Sequence, residues 1–455
     1  METLESILGQ ISDFVWGLPL IILLVGTGIY LTFRLGFLQI RTLPYALKLT
    51  FSRKQDKESE GDISHFQALT TASAATVGTG NIVGVATAIF LGGPGAVFWM
   101  FVAGLFGMAT KYGEAILAVK YRVKDAQGNM AGGPMYYLEH GLKQKWLGVL
   151  FAVFGALAAF GIGNGTQAKA VSDLMQDTFS IPAWVTGIAL VIFAGLVILG
   201  GIKWIGRVTS YFVPFMAIFY ILAGLYVMIV NFHLVPDAIA TIFTHAFSGE
   251  AAFGGTVGAV IRYGVARGLF SNEAGMGSAP IAAAAAKTDL PGRQALVSMV
   301  QVFFDTLIIC MITGITIVMS GLWEDKSIEA GVLTSAAFEQ LVGSIGPYLV
   351  TLGLLFFASS TILGWAYYGE KCFQYLIKSP KAIWVYRTIF VLFIFVGATS
   401  SLDLVWTFAD ILNGLMAIPN LIGLIGLSGI IVLETKRLQQ KVKEERAAEA
   451  KSKGA

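Results

Sequence analysis

Long apolar stretches, separated by short polar segments, follow one another along almost the whole chain. A helix needs about 20 apolar residues to cross the hydrocarbon core of a membrane, and eleven stretches come close to or exceed that length. The pattern therefore predicts an all-α polytopic membrane protein with eleven transmembrane helices. The predicted spans are 14–33 (A), 66–91 (B), 94–119 (C), 147–166 (D), 182–200 (E), 208–231 (F), 254–286 (G), 291–320 (H), 346–370 (I), 382–400 (J) and 404–433 (K).

Two of these spans contain residues that interrupt helices. Span B reads TTASAATVGTGNIVGVATAIF over 70–90, and span G contains GLFSNEAGMG over 268–277. Irregular backbone at membrane depth is tolerated only where it is buried in protein or lines a cavity, because its free N–H and C=O groups need partners. The breakers therefore predict two discontinuous helices that meet at a binding site.

The positions of Lys and Arg predict how the spans are oriented. Almost all of the 31 basic residues fall in segments 34–65, 120–146, 201–207, 287–293 and 371–387 and in the tail after 434. Cytoplasmic loops carry an excess of Lys and Arg, so these segments are predicted to be cytoplasmic and the N-terminus to lie outside. With eleven crossings, every loop lies on the side of the membrane that its content of Lys and Arg predicts.

Spans B and G each begin a group of five spans, and the loop charges give the two groups opposite orientations. This is the pattern of an inverted repeat with a discontinuous first helix in each half. The predicted units are an extra N-terminal helix with a basic cytoplasmic segment (1–65), a first repeat (66–231), a second, inverted repeat (254–433) and a basic cytoplasmic tail (434–455).

The polar residues in the two interrupted spans allow a functional and a structural interpretation. GTGNIVG at 78–84 contains Gly80 and Gly84 at the spacing that lets helices pack closely. A broken helix would instead expose N–H groups to a carboxylate and carbonyls to a cation. In span G, Ser271, Asn272 and Glu273 form either a structural network or the lining of a site, since facing lipid would be costly.

Two further spans carry polar residues that can serve such a site. FFASSTILGW in span I has three adjacent hydroxyls, which either bond back to carbonyls of their own helix or offer oxygens to Na⁺. GIGNGTQAKA at the end of span D holds Asn164 and Gln167, three residues apart on one predicted helix face. They either bind a polar ligand or mark a helix end. Lys111 and Glu114 in span C are expected to neutralise each other.

Composition argues against other classes of protein. The chain is 56% hydrophobic and only 13% charged, far from soluble domains. The two cysteines and four histidines show no metal-binding or catalytic spacing, and phosphate-binding and nucleophile-elbow motifs are missing from the sequence. We therefore expect no enzyme activity, no organic cofactor and no nucleic-acid partner; the lipid bilayer is the predicted surrounding.

Three motifs in this order resemble one transporter family. GTGNIVG at 78–84, GGPGAVFWM at 92–100 and GLFSNEAGMGSAP at 268–280 are similar to those of the bacterial and archaeal alanine or glycine:cation symporters, also called the sodium:alanine symporter family. The resemblance covers nearly the whole chain. It implies the leucine-transporter-type fold of the amino acid-polyamine-organocation superfamily, with spans B and G as its first and sixth core helices and A as an extra one.

The resemblance also implies a set of site residues. The amino-acid carboxylate would lie on the break in span B, at Gly78, Thr79 and Gly80. The substrate would also be approached from span G and span D, by Phe270, Ser271, Met276, Asn164 and Gln167. The functional interpretation of span G adds Asn272 to these residues. A sodium ion would be bound by the carbonyls of Ala74 and Val77 and by the hydroxyls of Ser359 and Ser360, with the adjacent Thr361 as a further candidate ligand.

The function implied is a secondary active symporter in the cell membrane that imports alanine or glycine with Na⁺ as the coupling ion. A proton-coupled amino-acid transporter is one alternative, and a channel or sensor on the same fold is another. Discontinuous helices in an inverted repeat favour alternating access over a channel.

Overall fold

The structure is a computed structural model that describes residues 2–52, 59–247, 256–400 and 403–453. Helices account for nearly all regular structure in this part of the chain, and a two-stranded antiparallel sheet joins β1 (Val123–Lys124) to β2 (Met130–Ala131). The helices of the first half are α1 Glu2–Val15, α2 Leu18–Arg34, α3 Leu38–Thr50, α4 His65–Thr76, α5 Val85–Gly92, α6 Ala96–Lys120, α7 Pro134–Tyr136, α8 Lys145–Phe160, α9 Thr166–Phe179, α10 Ala183–Ile198 and α11 Gly201–Val230.

Short π-helical and 3₁₀ segments interrupt or join these helices, and ten further α-helices complete the described part of the chain. Four π-helical segments, Gly80–Gly84, Tyr137–Gly141, Gly161–Gly165 and Phe303–Cys310, and two 3₁₀ turns, Phe232–Leu234 and Leu322–Glu324, lie between or beside the α-helices. The remaining helices are α12 Val235–Phe247, α13 Thr256–Asn272, α14 Pro280–Ala283, α15 Pro291–Val302, α16 Met311–Ser320, α17 Ala330–Val342, α18 Ile345–Leu376, α19 Pro380–Thr399, α20 Asp403–Gly426 and α21 Ser428–Lys453.

Each of the eleven predicted spans contains α-helix within the described residues. Within the described residues, eight helical stretches are long and apolar enough to cross a membrane, and span B adds a ninth as a pair of helices bent by 55°. Span E is the shorter apolar helix α10, of 16 residues. Span G is α13, of 17 residues, followed after a non-helical stretch by α14. The all-α membrane architecture is confirmed.

Several boundaries differ from the prediction. Span D does not end near residue 166, because α8 and α9 continue through a π-helical segment to Phe179. Span K ends at Gly426, and the residues after it form a separate charged helix, α21. Two predicted loops contain the helices α12 and α17. The length of the apolar stretches identified the spans, whereas α12 and α17, at 13 residues each, are too short to be identified in this way.

One end of the bundle is closed by backbone contacts between the segments that precede α4 and follow α14. Ile63 forms an isolated parallel bridge with Ala286, and Lys287 donates its N–H to the Ile63 carbonyl at 2.8 Å. The Arg122 guanidinium donates to four carbonyls of these two segments, including that of Ala284 at 2.9 Å. These contacts hold the start of the first interrupted span against the end of the second.

Candidate functional site

The first interrupted helix breaks between Thr76 and Gly80, where α4 ends and the π-helical segment begins. The backbone of Val77 is extended there, with φ −76° and ψ 95°. Side chains replace the missing helical partners: Gly78 donates its N–H to Asn81 Oδ1 at 2.9 Å, and Thr79 donates its N–H to Gln167 Oε1 at 3.2 Å. The predicted discontinuity in span B is therefore present, and its polar backbone is satisfied by neighbouring amides.

Glycines are required at this break because other helices come close to it. A Cβ on Gly78 would lie 2.5 Å from Thr361 Oγ1 and 3.1 Å from Gln167 Oε1. A Cβ on Gly80 would lie 3.2 Å from the Cα of Ser271, which belongs to the other interrupted span. The glycines therefore allow close helix packing at the same place where the helix is broken, so the packing interpretation and the broken-helix interpretation do not exclude each other.

The second interrupted helix ends at Asn272 and leaves 273–279 without α-helix. Glu273 adopts the left-handed conformation with φ +55°, and Gly275 and Gly277 have φ of +89° and +85°, which glycine accepts without steric cost. The N–H groups of both glycines donate to Glu114 Oε1 on α6, at 3.1 and 3.0 Å. One buried carboxylate therefore caps the unwound segment.

Glu114 has a second function beside this cap. Its Oε2 lies 3.9 Å from the ammonium of Lys111, so the expected mutual neutralisation is present as a buried ion pair. Asn420 of α20 donates to Glu114 Oε1 at 2.7 Å and to the Gly275 carbonyl at the same distance. The sequence interpretation of Glu114 as only a charge partner was incomplete, because the cap depends on backbone geometry that no spacing reveals.

Glu273 is held by side chains. The indole N–H of Trp365 donates to Glu273 Oε1 at 2.9 Å, and the hydroxyl of Ser278 donates to Oε2. The carboxylate is buried, with 4% of the residue exposed. The structural-network interpretation of Glu273 fits these contacts, which connect the second break to α18.

The hydroxyls of α18 reach the first break. Ser360 donates to the carbonyl of Ala74 at 3.2 Å, and Thr361 donates to the carbonyl of Val77 at 3.2 Å. Both hydroxyls also lie within hydrogen-bonding distance of the Phe357 carbonyl of their own helix, at 2.8 and 3.0 Å. The contacts with the Phe357 carbonyl fit the first interpretation, and both hydroxyls also meet the carbonyls that are predicted to bind sodium. The binding of sodium itself stays a prediction.

Ser359 is buried beside them, with 5% of the residue exposed. The two carbonyls and the hydroxyls of Ser360 and Thr361 are all neutral hard oxygens, which is the donor type that alkali cations take in proteins. The residues implied by the resemblance therefore fit a sodium ion in chemistry and in proximity.

Span D contributes Gln167 to the site. Gln167 Nε2 donates to Thr79 Oγ1 at 3.1 Å, and its Oε1 accepts from the Thr79 N–H. Both ends of the amide therefore bond to Thr79 at the first break. Asn164 is placed differently: its Nδ2 donates to the carbonyl of Phe390 on α19 at 2.6 Å. The two residues do not share a helix face as the spacing predicted, because the π-helical segment at Gly161–Gly165 alters the register between them.

The remaining predicted residues lie on or beside α13. The Ser271 hydroxyl and the Asn272 amide are buried, and Asn272 Oδ1 accepts the N–H of Ala274 at 2.9 Å. Met276 is fully buried. Phe270 is only partly buried and meets the ring of Trp16 on the N-terminal region edge-on, at 6.5 Å between centroids. Phe270 therefore packs beside the junction of α1 and α2.

Three residues at the site were not predicted. Asp305 in span H accepts hydrogen bonds from Asn81 and Ser271, and Gln301, one turn earlier, donates to Thr76 Oγ1 at 2.8 Å. Thr334 of α17 donates to the Ile82 carbonyl at 3.0 Å, which places this loop helix over the first break. The signal for Asp305 was available, since a single carboxylate inside an apolar span is a functional-site candidate by default.

Two broken helices held together by buried polar side chains, within a bundle of membrane-spanning helices, define a membrane transporter. The structure shares its fold with MhsT, solved in complex with L-phenylalanine: the TM-score is 0.57 at 14% identity, over 83% of this chain and 98% of that one. The predicted leucine-transporter-type fold is confirmed. The family model described as the sodium:alanine symporter family matches residues 1–452.

The chain belongs to the sodium:alanine symporter family. It is similar to the sodium/alanine symporter AgcS of Methanococcus maripaludis, with 58% identity over 97% of this chain and 98% of that protein. It is also 40% identical to the probable sodium/glutamine symporter GlnT of Bacillus subtilis, over 96% of this chain and 91% of the relative. The family resemblance stated from three motifs is confirmed. The chain is a transporter and not an enzyme.

Proposed function

We propose that this protein imports alanine or glycine across the cell membrane together with Na⁺, by alternating access at the two helix breaks. The similarity to AgcS supports alanine as the substrate, and the description of the family supports sodium. The single observation that carries the proposal is the meeting of the carbonyls of Ala74 and Val77 with the hydroxyls of Ser360 and Thr361.

The amino-acid carboxylate would bind at Gly78, Thr79 and Gly80. Two of these residues donate their N–H groups to the side chains of Asn81 and Gln167 in the present arrangement. A carboxylate can take over such donors, because it is a stronger hydrogen-bond acceptor than an amide. The neighbouring Ser271, Asn272, Phe270 and Met276 would enclose the rest of the substrate. Asn164, in the π-helical segment before α9, would contribute its amide oxygen, because its Nδ2 already donates to the Phe390 carbonyl.

The loop charges support an orientation with the N-terminus outside and the C-terminal helix in the cytoplasm. In that orientation the contacts of Arg122 with the segments before α4 and after α14 close the cytoplasmic end. The units 66–231 and 254–433 would then be the two inverted repeats. Transport requires these contacts to open while the outer end closes.

Purified protein should bind labelled alanine only when Na⁺ is present. Unlabelled glycine should compete, whereas leucine and phenylalanine should not, because a closed pocket beside the buried Met276 lacks room for extra methylenes and overpacking costs about 1–3 kcal/mol. A scintillation proximity assay with a series of unlabelled amino acids measures this. Sodium-independent binding, or equal competition by leucine, would contradict the proposed substrate and ion.

The sodium site can be tested at Thr361. Thr361→Val keeps the shape of the side chain but removes the hydroxyl that meets the Val77 carbonyl. We expect the Na⁺ concentration for half-maximal alanine uptake to rise about tenfold, the equivalent of about 1.4 kcal/mol, with little change in maximal uptake.

Thr351→Val is the matched control, because Thr351 lies on the same helix about 15 Å along the axis from Thr361. Its hydroxyl bonds to that of Thr178 at 2.7 Å. It should leave the sodium dependence unchanged. Equal sodium dependence in the Thr361 and Thr351 variants would mean that the Thr361 hydroxyl serves only its own helix.

A further inference from the structure

The short helix α3 follows the extra helix α2 and precedes the first interrupted helix, in a segment that the loop charges predict to be cytoplasmic. At 13 residues it is too short to cross the hydrocarbon core. One face of α3 is anchored to the protein. Ala46 and Thr50 are buried on this face, and Gln39 Nε2 donates to Thr32 Oγ1 of α2 at 2.9 Å and to the Leu105 carbonyl of α6 at 3.4 Å.

The opposite face of α3 exposes a row of apolar side chains. Ile40 and Pro44 are one helical turn apart, and Phe51, directly after the end of α3, lies two turns further along the same row. Ile40 is 54% exposed and Phe51 is 64% exposed. A row of exposed apolar side chains on a helix beside the end of a membrane span is typical of a helix that lies in the membrane interface.

A row of basic side chains lies beside the apolar one. Arg41 and Lys48 are both exposed and lie two helical turns apart on α3, and the exposed Arg34 ends α2. Arg41 follows Ile40 directly, so about 100° around the helix separates the two rows at this point. The sequence from Arg34 to Phe51 contains no Asp or Glu. Among the residues that the structure describes, no carboxylate pairs with any of these three cations.

An outward face of this kind matches the surface of a lipid leaflet that contains anionic phospholipids. The apolar row can lie among acyl chains while the basic row meets the headgroups, as in interfacial amphipathic helices. Basic side chains beside a membrane span are attracted to anionic headgroups, which give the cytoplasmic leaflet its negative surface potential. Zwitterionic phospholipids would cover the apolar row equally well, but they would leave the three cations without a net counter-charge.

We propose that the outward face of α3 is a docking surface for anionic phospholipid headgroups, with Arg41 and Lys48 as their main ligands and Arg34 beside them. This inference is independent of the substrate and the coupling ion. The docking surface adjoins the first interrupted helix, because the ring of Phe51 lies 6.3 Å from the ring of Phe66 in α4, between centroids. A phospholipid bound there would stabilise the folded protein near the start of that helix.

The test is protection of the protein from heat. Full-length protein in a neutral detergent is titrated with dioctanoyl phosphatidylglycerol or, in parallel, with dioctanoyl phosphatidylcholine, and its melting temperature is measured. We expect phosphatidylglycerol to raise the melting temperature more than phosphatidylcholine does. This difference should disappear in about 1 M potassium chloride, where the Debye length is about 3 Å.

Removing the basic row should weaken this protection. In Arg41→Gln combined with Lys48→Gln, the phosphatidylglycerol concentration for half-maximal protection should rise about tenfold, because two of the three charges that attract the headgroup are gone. If the double variant is not recovered as folded protein, Lys48→Gln alone should give a rise of about threefold. Arg41→Lys combined with Lys48→Arg keeps both charges and should retain the protection.

Lys378→Gln combined with Lys381→Gln is the matched control. Both lysines are exposed, lie in a segment that is also predicted to be cytoplasmic, and pair with no carboxylate of the described residues. The control removes the same amount of charge as the variant of the basic row. It should leave the half-maximal phosphatidylglycerol concentration unchanged.

Three results would overturn the inference. Equal protection by the two phospholipids would mean that charge is not recognised, and an equal shift in the control and in the variant of the basic row would mean that binding is spread over the basic side of the protein. Protection by inorganic phosphate as strong as that by phosphatidylglycerol would indicate a site for soluble anions. These results do not bear on sodium-coupled import, which fails only if alanine uptake does not follow the sodium gradient.

Discussion

Replacing Gly78 with alanine should reduce alanine uptake by at least about tenfold while the protein still inserts in the membrane. The added Cβ would meet Thr361 Oγ1 at 2.5 Å and Gln167 Oε1 at 3.1 Å, so one of these side chains has to leave the break. Overpacking of this kind costs about 1–3 kcal/mol, and here the cost falls on Thr361, a proposed sodium ligand, and on Gln167, a proposed substrate contact. Uptake of labelled alanine into proteoliposomes measures the loss, with the amount of inserted protein determined by immunoblot.

Gly84→Ala is the control for this experiment. Gly84 lies in the same π-helical segment, but a Cβ there would have only an ordinary contact at 3.9 Å with the Thr79 carbonyl. We expect uptake close to that of the unaltered protein. Normal transport by Gly78→Ala would show that the break in the first interrupted span is packing without a function in binding.

Replacing Glu114 with alanine should destabilise the whole protein. The change removes the acceptor for the N–H groups of Gly275 and Gly277 and leaves the Lys111 ammonium buried without its counter-charge. Breaking a buried ion pair costs about 3–5 kcal/mol, and each unsatisfied buried donor adds about 1–3 kcal/mol. Size-exclusion chromatography after heating the detergent-solubilised protein should show a much lower melting temperature.

A double variant identifies the cause. Lys111→Met together with Glu114→Gln removes both charges but keeps an amide oxygen for the two glycine N–H groups. Its melting temperature should lie well above that of Glu114→Ala. If Glu114→Ala has the same melting temperature as the unaltered protein, the second break does not depend on this carboxylate.

The sequence was sufficient to predict the membrane spans and the two breaks because both depend on local properties. Apolar length determines which stretches cross the membrane, and glycines beside polar residues mark a helix that cannot continue at that depth. The breaks at Thr76–Gly80 and after Asn272 lie within the two predicted stretches. The loop helices α12 and α17 were not predicted because, at 13 residues each, they are shorter than a membrane span.

The site was predictable in part. The meeting of Ala74 and Val77 with Ser360 and Thr361 follows from the family resemblance, and the structure brings these four residues together. The different directions of Asn164 and Gln167 could not be predicted, because the glycine-rich sequence GIGNG does not by itself show whether the helix continues as α or as π. Asp305 could have been noticed, since its charge is conspicuous in an apolar span, but only the structure shows that it touches both breaks.

The central claim is that the two breaks form one site at which sodium drives the uptake of a small amino acid. Accumulation of labelled alanine in proteoliposomes tests it most directly, with an inward sodium gradient imposed on one sample and equal sodium on both sides of another. The account predicts that the internal alanine concentration rises above the external one only with the gradient and falls back when the gradient is dissipated. Alanine that merely equilibrates, with or without a sodium gradient, would contradict the account.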